Sequence, residues 1–369
     1  MKKRQTIAVL FGGQSGEHEV SLVSAHAVMK ALDPEKYDVL PIGIRKDGRW
    51  LSGPGVLAAL VAEANPIMLP TSFTNAQASE VTPGPVAHLT SMIPDSGMPS
   101  VARLLPPGID VVFPVLHGPK GEDGTIQGLL ELAALPYVGC GVAASAVGMD
   151  KALMKAAFAA ADLPLLPWLL VRRRDFECAP SEVCERIEAA LHYPVFVKPA
   201  NMGSSVGVSK ATNRASLRAA LAEAGRYDRR IVVEQGIAAR EIEVSILGNE
   251  DPLASTPGEI VPSGEWYDYE AKYIDDASKT YIPAPIDHAQ TARVQELAIK
   301  AFQALDGAGL ARVDFLLDKQ SGALWLNEVN TMPGFTPISM YAKMWSADGL
   351  AYATLLDRLI ELALSRTKE

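Results

Sequence analysis

Residues 6–16, Thr6-Ile7-Ala8-Val9-Leu10-Phe11-Gly12-Gly13-Gln14-Ser15-Gly16, set a short apolar run against a glycine-rich turn. A run of this length without polar alternation predicts a strand buried on both faces, and the glycines end it. Val20–Leu32 then shows helical spacing, and Tyr37–Ile44 reads as a second strand. Ile109–Leu116 is a third, ending at His117-Gly118, and Thr125–Leu135 returns to the helical period. Strands alternating with helices predict an α/β unit on a parallel sheet, whose ligands gather beyond the carboxyl ends of the strands. Gly12-Gly13 and His117-Gly118 both stand at such ends. Between them Leu69–Pro107, rich in Pro, Ser, Thr and Gly, reads as a surface excursion.

Further on, Ala144–Ala161 predicts one helix, stopped at Leu163-Pro164. Pro194–Lys198 and Val208–Lys210 read as strands flanking the loop Gly203–Gly207, with a helix at Ala215–Ala224. Ile231–Gln235 and Glu241–Leu247 are strands around Gly236. The polar stretch Ser255–Pro285 holds Tyr267, Tyr269, Tyr273 and Tyr281, and loops that long are uncommon unless functional. A helix at Ala289–Leu305, strands at Ala311–Leu317 and Ala323–Val329, and an amphipathic helix at Leu350–Ser365 complete the chain.

A chain of 369 residues suits two or three domains. The 48% apolar content with only 7% aromatics fits a folded α/β enzyme better than a disordered chain or an all-β sandwich. A net charge of −9 repels phosphate backbones and argues against nucleic acid, although magnesium could still carry a nucleotide to this surface. Cys140, Cys178 and Cys184 lack metal-ligand spacing, and an odd count points to reduced thiols in a cytoplasmic protein. The basic start precedes too short an apolar run for a signal peptide, and no run approaches the ~20 residues of a membrane span. A soluble protein is expected.

Two motifs point elsewhere. Gly139-Cys140-Gly141-Val142-Ala143-Ala144 fits a dinucleotide pattern with Asp162 about 20 residues on, but it follows a late strand. Gly203-Ser204-Ser205-Val206-Gly207 fits a hydrolase elbow with Asp268 or Asp275 and His288 downstream, but the extended Val208–Lys210 separates it from the next helix. The same loop suits phosphate, because small residues let backbone N–H groups approach anionic oxygens and Lys198 supplies a positive charge. Taken alone it could equally be an ordinary hairpin.

The strongest local signal is Arg312-Val313-Asp314 with Asn327-Glu328-Val329-Asn330. Alternate strand residues share a face, so Arg312 projects with Asp314, and Glu328 with Asn330. Two carboxylates and an amide oxygen suit magnesium, a hard ion that also takes substrate phosphates. The bland alternative is a solvated hairpin face. His117 reads equally as a buried structural histidine, Glu17 as a helix-dipole partner, and Lys151 as a surface lysine.

Read together, Phe11–Ser21, Leu116-His117-Gly118 with Gly121–Thr125, Met149-Asp150-Lys151, Val197-Lys198-Pro199 with Gly203–Gly207, Tyr269–Tyr273, and Asn327–Thr336 resemble the signatures of D-alanine–D-alanine ligases over essentially the whole chain. That family has the ATP-grasp fold, in which two α+β subdomains enclose ATP behind a Rossmann-like substrate domain. The resemblance implies an N-terminal substrate-binding domain at 1–143, a central ATP-grasp subdomain at 144–236, and a C-terminal one at 237–369 with the metal site and lid. It implies ATP and two Mg²⁺ ions, with Mn²⁺ able to substitute, held by Asp314, Glu328 and Asn330. Lys151, Lys198 and the loop carrying Gly203 and Ser205 would hold phosphates. Glu234, Gln235 and Ile237 would meet adenine, and Glu241 the ribose.

By the same resemblance, Glu17 and His117 would receive the first D-alanine. Ser204 and Tyr273 would link to Glu17 and close the lid. Lys272 would face the transferred phosphoryl group, Arg312 and Gly334 the oxyanion, and Ser339 with Met340 the second carboxylate. It also implies a homodimer. Pro119-Lys120 and Ala200-Asn201-Met202 depart from common family residues without bearing on a proposed catalytic role. A D-alanine–D-lactate ligase of the same fold is the nearest rival, disfavoured by Tyr273; a non-catalytic nucleotide-binding regulator is a rival of another class.

Overall fold

The computed structural model describes residues 3–70, 73–81, 105–261 and 279–366, and the backbone of 87–88. In the first region these form β1 (Gln5–Gly12), α1 (His18–Ala31), β2 (Tyr37–Ile44), β3 (Trp50–Ser52), α2 (Val56–Glu63), α3 (Asn75–Val81), β4 (Ala87–His88), β5 (Val111–Val115) and α4 (Thr125–Leu132). The sheet runs β4-β3-β2-β1-β5. Its β2-β1-β5 core is parallel, as expected, while β3 and β4 extend one edge antiparallel. The cause is local: the tight turn through Asp47 and Gly48, with Gly48 at φ 88°, sends β3 straight back along β2. A hairpin return is necessarily antiparallel.

The apolar run of β1 explains its central place. Ile7, Val9 and Phe11 enter one core, while Ala8 and Leu10 enter another on the opposite face. Strand period two thus feeds two layers. The first core also takes Phe335 and Tyr341 and, from the last helix, Leu355, Leu356, Leu359 and Ile360. The far end of the chain therefore closes over the first sheet. Of the expected excursion at 69–107, only part lies within the described residues; there α3 buries Ala78, and β4 pairs with β3.

The helix expected at Ala144–Ala161 is two helices, α5 (Val142–Met149) and α6 (Lys151–Ala160). Asp150 divides them. Its carboxylate accepts from the backbone of Ala152 and Leu153, both at 3.0 Å, as an N-cap does. Beyond lie β6 (Trp168–Arg172), α7 (Arg173–Cys178), α8 (Pro180–Ala190), β7 (Val195–Pro199), β8 (Ser209–Ala211), α9 (Arg214–Tyr227) and β9 (Arg230–Gln235). Their antiparallel sheet has the order β6-β9-β7-β8.

The third sheet joins β10 (Ala239–Gly248), β11 (Leu253–Ala254), β12 (Gly258–Val261), β13 (Lys279–Tyr281), β14 (Gly309–Asp318) and β15 (Leu324–Asn330). Helix α10 (His288–Ala304) packs Val294, Leu297 and Phe302 into its core. The chain continues through α11 (Met340–Ala347) to α12 (Tyr352–Arg366). No described helix is long and apolar enough to cross a membrane.

Because Leu359 is fully buried between the last helix and the first sheet, Leu359→Ala should cost about 2–5 kcal/mol of stability. Urea denaturation followed by circular dichroism checks this; an unchanged midpoint would detach α12 from that core.

Candidate active site

A cavity of about 560 Å³ opens beyond the carboxyl ends of β1 and β5, against the sheets carrying β7, β9, β10, β14 and β15. One of its walls is a cross-strand row. Glu243 on β10 stands opposite Asp314 on β14, which stands opposite Glu328 on β15. In the next row Arg312 stands opposite Asn330. Three adjacent carboxylates would repel, so a cation beside them is required. Arg312 supplies it, donating from Nε and Nη2 to the two oxygens of Asp314, each at 2.7 Å, and lying 3.3 Å from Glu243. Burial opposes the guanidinium charge, but these carboxylates hold it firmly protonated. Asn330 donates its amide to Asp314 Oδ2 at 2.9 Å, an orientation that leaves the amide oxygen as an acceptor. Asp314, Glu328 and Asn330 thus gather the oxygen donors a hard divalent cation takes. Among the described residues no group of three His, Cys, Asp or Glu is clustered as a metal site.

The opposite wall carries lysines. Lys151 follows the Asp150 cap at the start of α6; its backbone N–H donates to Ala200 O at 2.8 Å and its Nζ to Met202 O at 2.7 Å. Glu328 lies 3.9 Å from that ammonium. Asp150 is itself ion-paired to Arg230. The departure at Ala200–Met202 therefore does touch a site residue, although through the backbone carbonyl oxygens of Ala200 and Met202 and not their side chains. Lys198 on β7 donates to Glu234 Oε2 at 2.7 Å, and Lys155 on α6 donates to Oε1 of the same carboxylate. Burial alone would push the Glu234 carboxyl up, but the two ammonium groups pull it down to about 2.

At the far end Ser204 donates to Glu17, joining the glycine-serine loop to the start of α1. Ser204 and Ser205 hold left-handed backbone, with φ 48° and 57°. His117 is buried; its Nδ1 lies 3.1 Å from Met332 O and its Nε2 3.3 Å from Ser24 Oγ. A carbonyl only accepts, so the proton sits on Nδ1, and burial pushes the imidazole below its ordinary value. The backbone N–H of Phe335 points to the same Ser24 hydroxyl at 3.4 Å, so this network flanks Gly334. Beside Glu17, burial and its neighbour's charge push the Glu122 carboxyl well above the usual range. Ser339 begins α11, its hydroxyl accepting from Thr336 N at 3.1 Å.

The structure thus brings Glu17, His117, Lys151, Lys198, Gly203, Ser204, Ser205, Glu234, Gln235, Ile237, Glu241, Arg312, Asp314, Glu328, Asn330, Gly334, Ser339 and Met340 to one cavity. Lys272 and Tyr273 lie outside the described residues, as do Asp268 and Asp275. His288 opens α10 and does not line the cavity, so the hydrolase pattern gains no base there. Gly139 packs against Gly309, and its carbonyl accepts from Arg366 at 2.5 Å, which makes that glycine pattern a packing feature. Sequence reading missed Glu243, Ser24 and Lys155. Lys155 left a signal: it is a lysine on the apolar face of α6, beside Ala152, Met154 and Phe158.

Two antiparallel sheets with their lysines and carboxylates facing across one cavity, next to a sheet with a parallel core, define the ATP-grasp class of architecture. The match is specific. Residues 6–140 fit the family described as "D-ala D-ala ligase N-terminus" and residues 157–361 the one described as "D-ala D-ala ligase C-terminus". A D-alanine--D-alanine ligase of Heliobacterium modesticaldum is 55% identical over 99% of this chain and 96% of its own. One from Geobacillus thermodenitrificans is 49% identical over 100% and 97%. Among solved structures, the D-alanine-D-alanine ligase from Coxiella burnetii is 36% identical with a TM-score of 0.79, over 99% of this chain and 95% of that one. The VanG D-Ala:D-Ser ligase from Enterococcus faecalis is 35% identical with a TM-score of 0.81, over 98% and 100%. The chain belongs to the D-alanine–D-alanine ligase family.

Since His117 resists protonation in the fold while an unfolded histidine takes a proton near 6.5, the unfolded state gains protons first on acidification. Stability from this residue should therefore fall as pH drops below 6.5. Urea midpoints between pH 5 and 7.5 should decline more steeply for the wild type than for His117→Gln; parallel curves would contradict the neutral assignment.

Proposed function

We propose that this chain is a cytoplasmic ligase that uses ATP to join two D-alanines into D-alanyl-D-alanine through a D-alanyl phosphate, in peptidoglycan precursor synthesis. The observation that carries the reading is one cavity facing Lys151 and Lys198, Asp314 with Glu328, and the Glu17–Ser204 contact. Residues 1–143 would present substrate, and 144–236 with 237–369 would enclose the nucleotide.

A carboxylate is a poor electrophile, so it is first activated. Glu17, with His117 nearby, would hold the ammonium of the first D-alanine, whose carboxylate attacks the γ-phosphorus as the bond to ADP breaks. Lys151, Lys198 and the loop through Gly203 and Ser205 would steady the phosphates, with Lys272 beside the moving group. Glu234, Gln235 and Ile237 would meet adenine, and Glu241 the ribose. Among the described residues the cavity is lined by seven carboxyl groups against three cationic side chains. That balance would repel a bare polyphosphate. Asp314, Glu328 and Asn330 would hold two Mg²⁺ ions, or Mn²⁺, which would neutralise phosphate charge.

The deprotonated amine of the second D-alanine then attacks the acyl carbon, and phosphate leaves. Ser339 and the Met340 backbone would hold its carboxylate at the start of α11. The Arg312 guanidinium and the Gly334 N–H would receive the oxyanion, a contact whose loss typically costs 10²–10³-fold in turnover. Ser204 and Tyr273 would close the lid, which keeps water from the acyl phosphate.

Purified chain with ATP, Mg²⁺ and D-alanine should release ADP and phosphate and yield D-alanyl-D-alanine by mass; no dipeptide would end the proposal. With D-serine or D-lactate also present across pH, D-alanine should remain the preferred second substrate, and a predominant depsipeptide would select the D-lactate rival. Arg312→Ala and Glu328→Gln should each lower turnover about 10²-fold or more with circular dichroism unchanged. Near-wild-type turnover in either removes that side chain from its role. The proposed homodimer should sediment at twice 39.4 kDa.

A further inference from the structure

Lys155 is a buried cation that takes no part in the proposed reaction. It is 1% exposed, and its ammonium donates to Glu234, itself 2% exposed. Lys198 already occupies the other oxygen of that carboxylate. One ammonium would neutralise Glu234, so a second leaves this buried cluster with net positive charge. Buried ions cost desolvation, and apolar replacements of similar volume are often as stable or more so. Packing alone therefore does not explain a lysine on this face of α6.

The explanation lies in what ATP demands of the other two members, and it rests on the ligase reading. Lys198 is needed at the phosphates, while Glu234 is needed as an acceptor for the exocyclic amino group of adenine. Glu241 and Glu328 also act on the Lys198 charge, from β10 and β15. As the phosphates take Lys198, Glu234 would be left in a buried setting without it. We infer that Lys155 is a positioning residue that keeps the Glu234 carboxylate charged and aimed at adenine while Lys198 serves the phosphates. Lys155 itself touches no substrate; it acts through Glu234. The low proton affinity of that carboxyl in the free chain agrees with two ammonium partners.

The test compares wild type, Lys155→Met and the double variant Lys155→Met/Glu234→Gln at pH 6 and pH 8. Without Lys155, ATP binding should require Glu234 to shed a proton that burial now favours. The KM for ATP, taken as a ratio to wild type at each pH, should rise about tenfold at pH 8 and several-fold more at pH 6. The KM for D-alanine should stay within about twofold, and kcat should change less than the KM for ATP. The double variant has no carboxyl left to titrate, so its ratio should be equal at the two pH values. Should Lys155→Met be too unstable to assay, Lys155→Gln, which keeps a donor without the charge, carries the same comparison. A single variant whose ratio is near one, or equal at both pH values, overturns the inference alone. Calorimetry of the wild type with ATP and Mg²⁺ separates the two levels: no nucleotide binding would overturn the ligase reading and the inference with it.

Discussion

The site depends on keeping buried carboxylates such as Glu234 and Glu243 ionised. Three carboxylates stand in one cross-strand row, on β10, β14 and β15, at spacings where like charges destabilise a sheet. The bidentate Arg312–Asp314 contact resolves this, since a planar guanidinium fits a carboxylate in a way a lysine does not. The same logic governs the other wall, where Glu234 is buried only because ammonium groups flank it. Remove the cations and these carboxyls must take protons or water must enter; neither outcome preserves the cavity.

The frame that holds the two walls together comes from distant parts of the chain. Strand β1 has apolar side chains on both faces, so it needs cover on both, and part of one cover is the last helix. Tyr37 and Lys36 reinforce that closure through Asp357, at 2.8 and 2.7 Å. The segment between β15 and α11 is trapped between them: Phe335 is fully buried and packs on Phe113 with ring centroids 5.6 Å apart. Gly334 inherits its position from these contacts, together with the His117 and Ser24 bonds on either side. The oxyanion donor proposed at Gly334 must be fixed before reaction, and the buried packing of Phe335 beside it supplies that fixity.

Much of this was legible in the sequence because it rests on local periodicity. The run Thr6–Phe11 announced a doubly covered strand, and Arg312 with Asp314 announced a shared face. What stayed hidden was non-local. The pairing of Asp314 with Glu328 requires the β14–β15 register, which includes an irregularity after Asp314 that alternation alone does not reveal. Glu243 joins the row only because β10 lies beside β14. The turn at Asp47-Gly48 carried a hairpin signal, yet β3 spans only three residues, too few for a periodic pattern. The break at Asp150 was obscured by helical propensity on both sides, with the cap bonds outweighing continuity. Lys155 left only its place on the apolar face of α6 as a signal, and its partner Glu234 comes from a distant strand.

The grip on Lys151 has an implication for how such a chain diversifies. Its partners in the strap 200–202 are the carbonyl oxygens of Ala200 and Met202, so the side chain of Asn201 between them takes no part in aiming the lysine. Ala200 is walled in, but Asn201 faces outward. Drift in that outward lettering can retune solubility or neighbour contacts of the strap while the ammonium beneath keeps its bearing, which separates the part of the loop that history may rewrite from the part it must conserve.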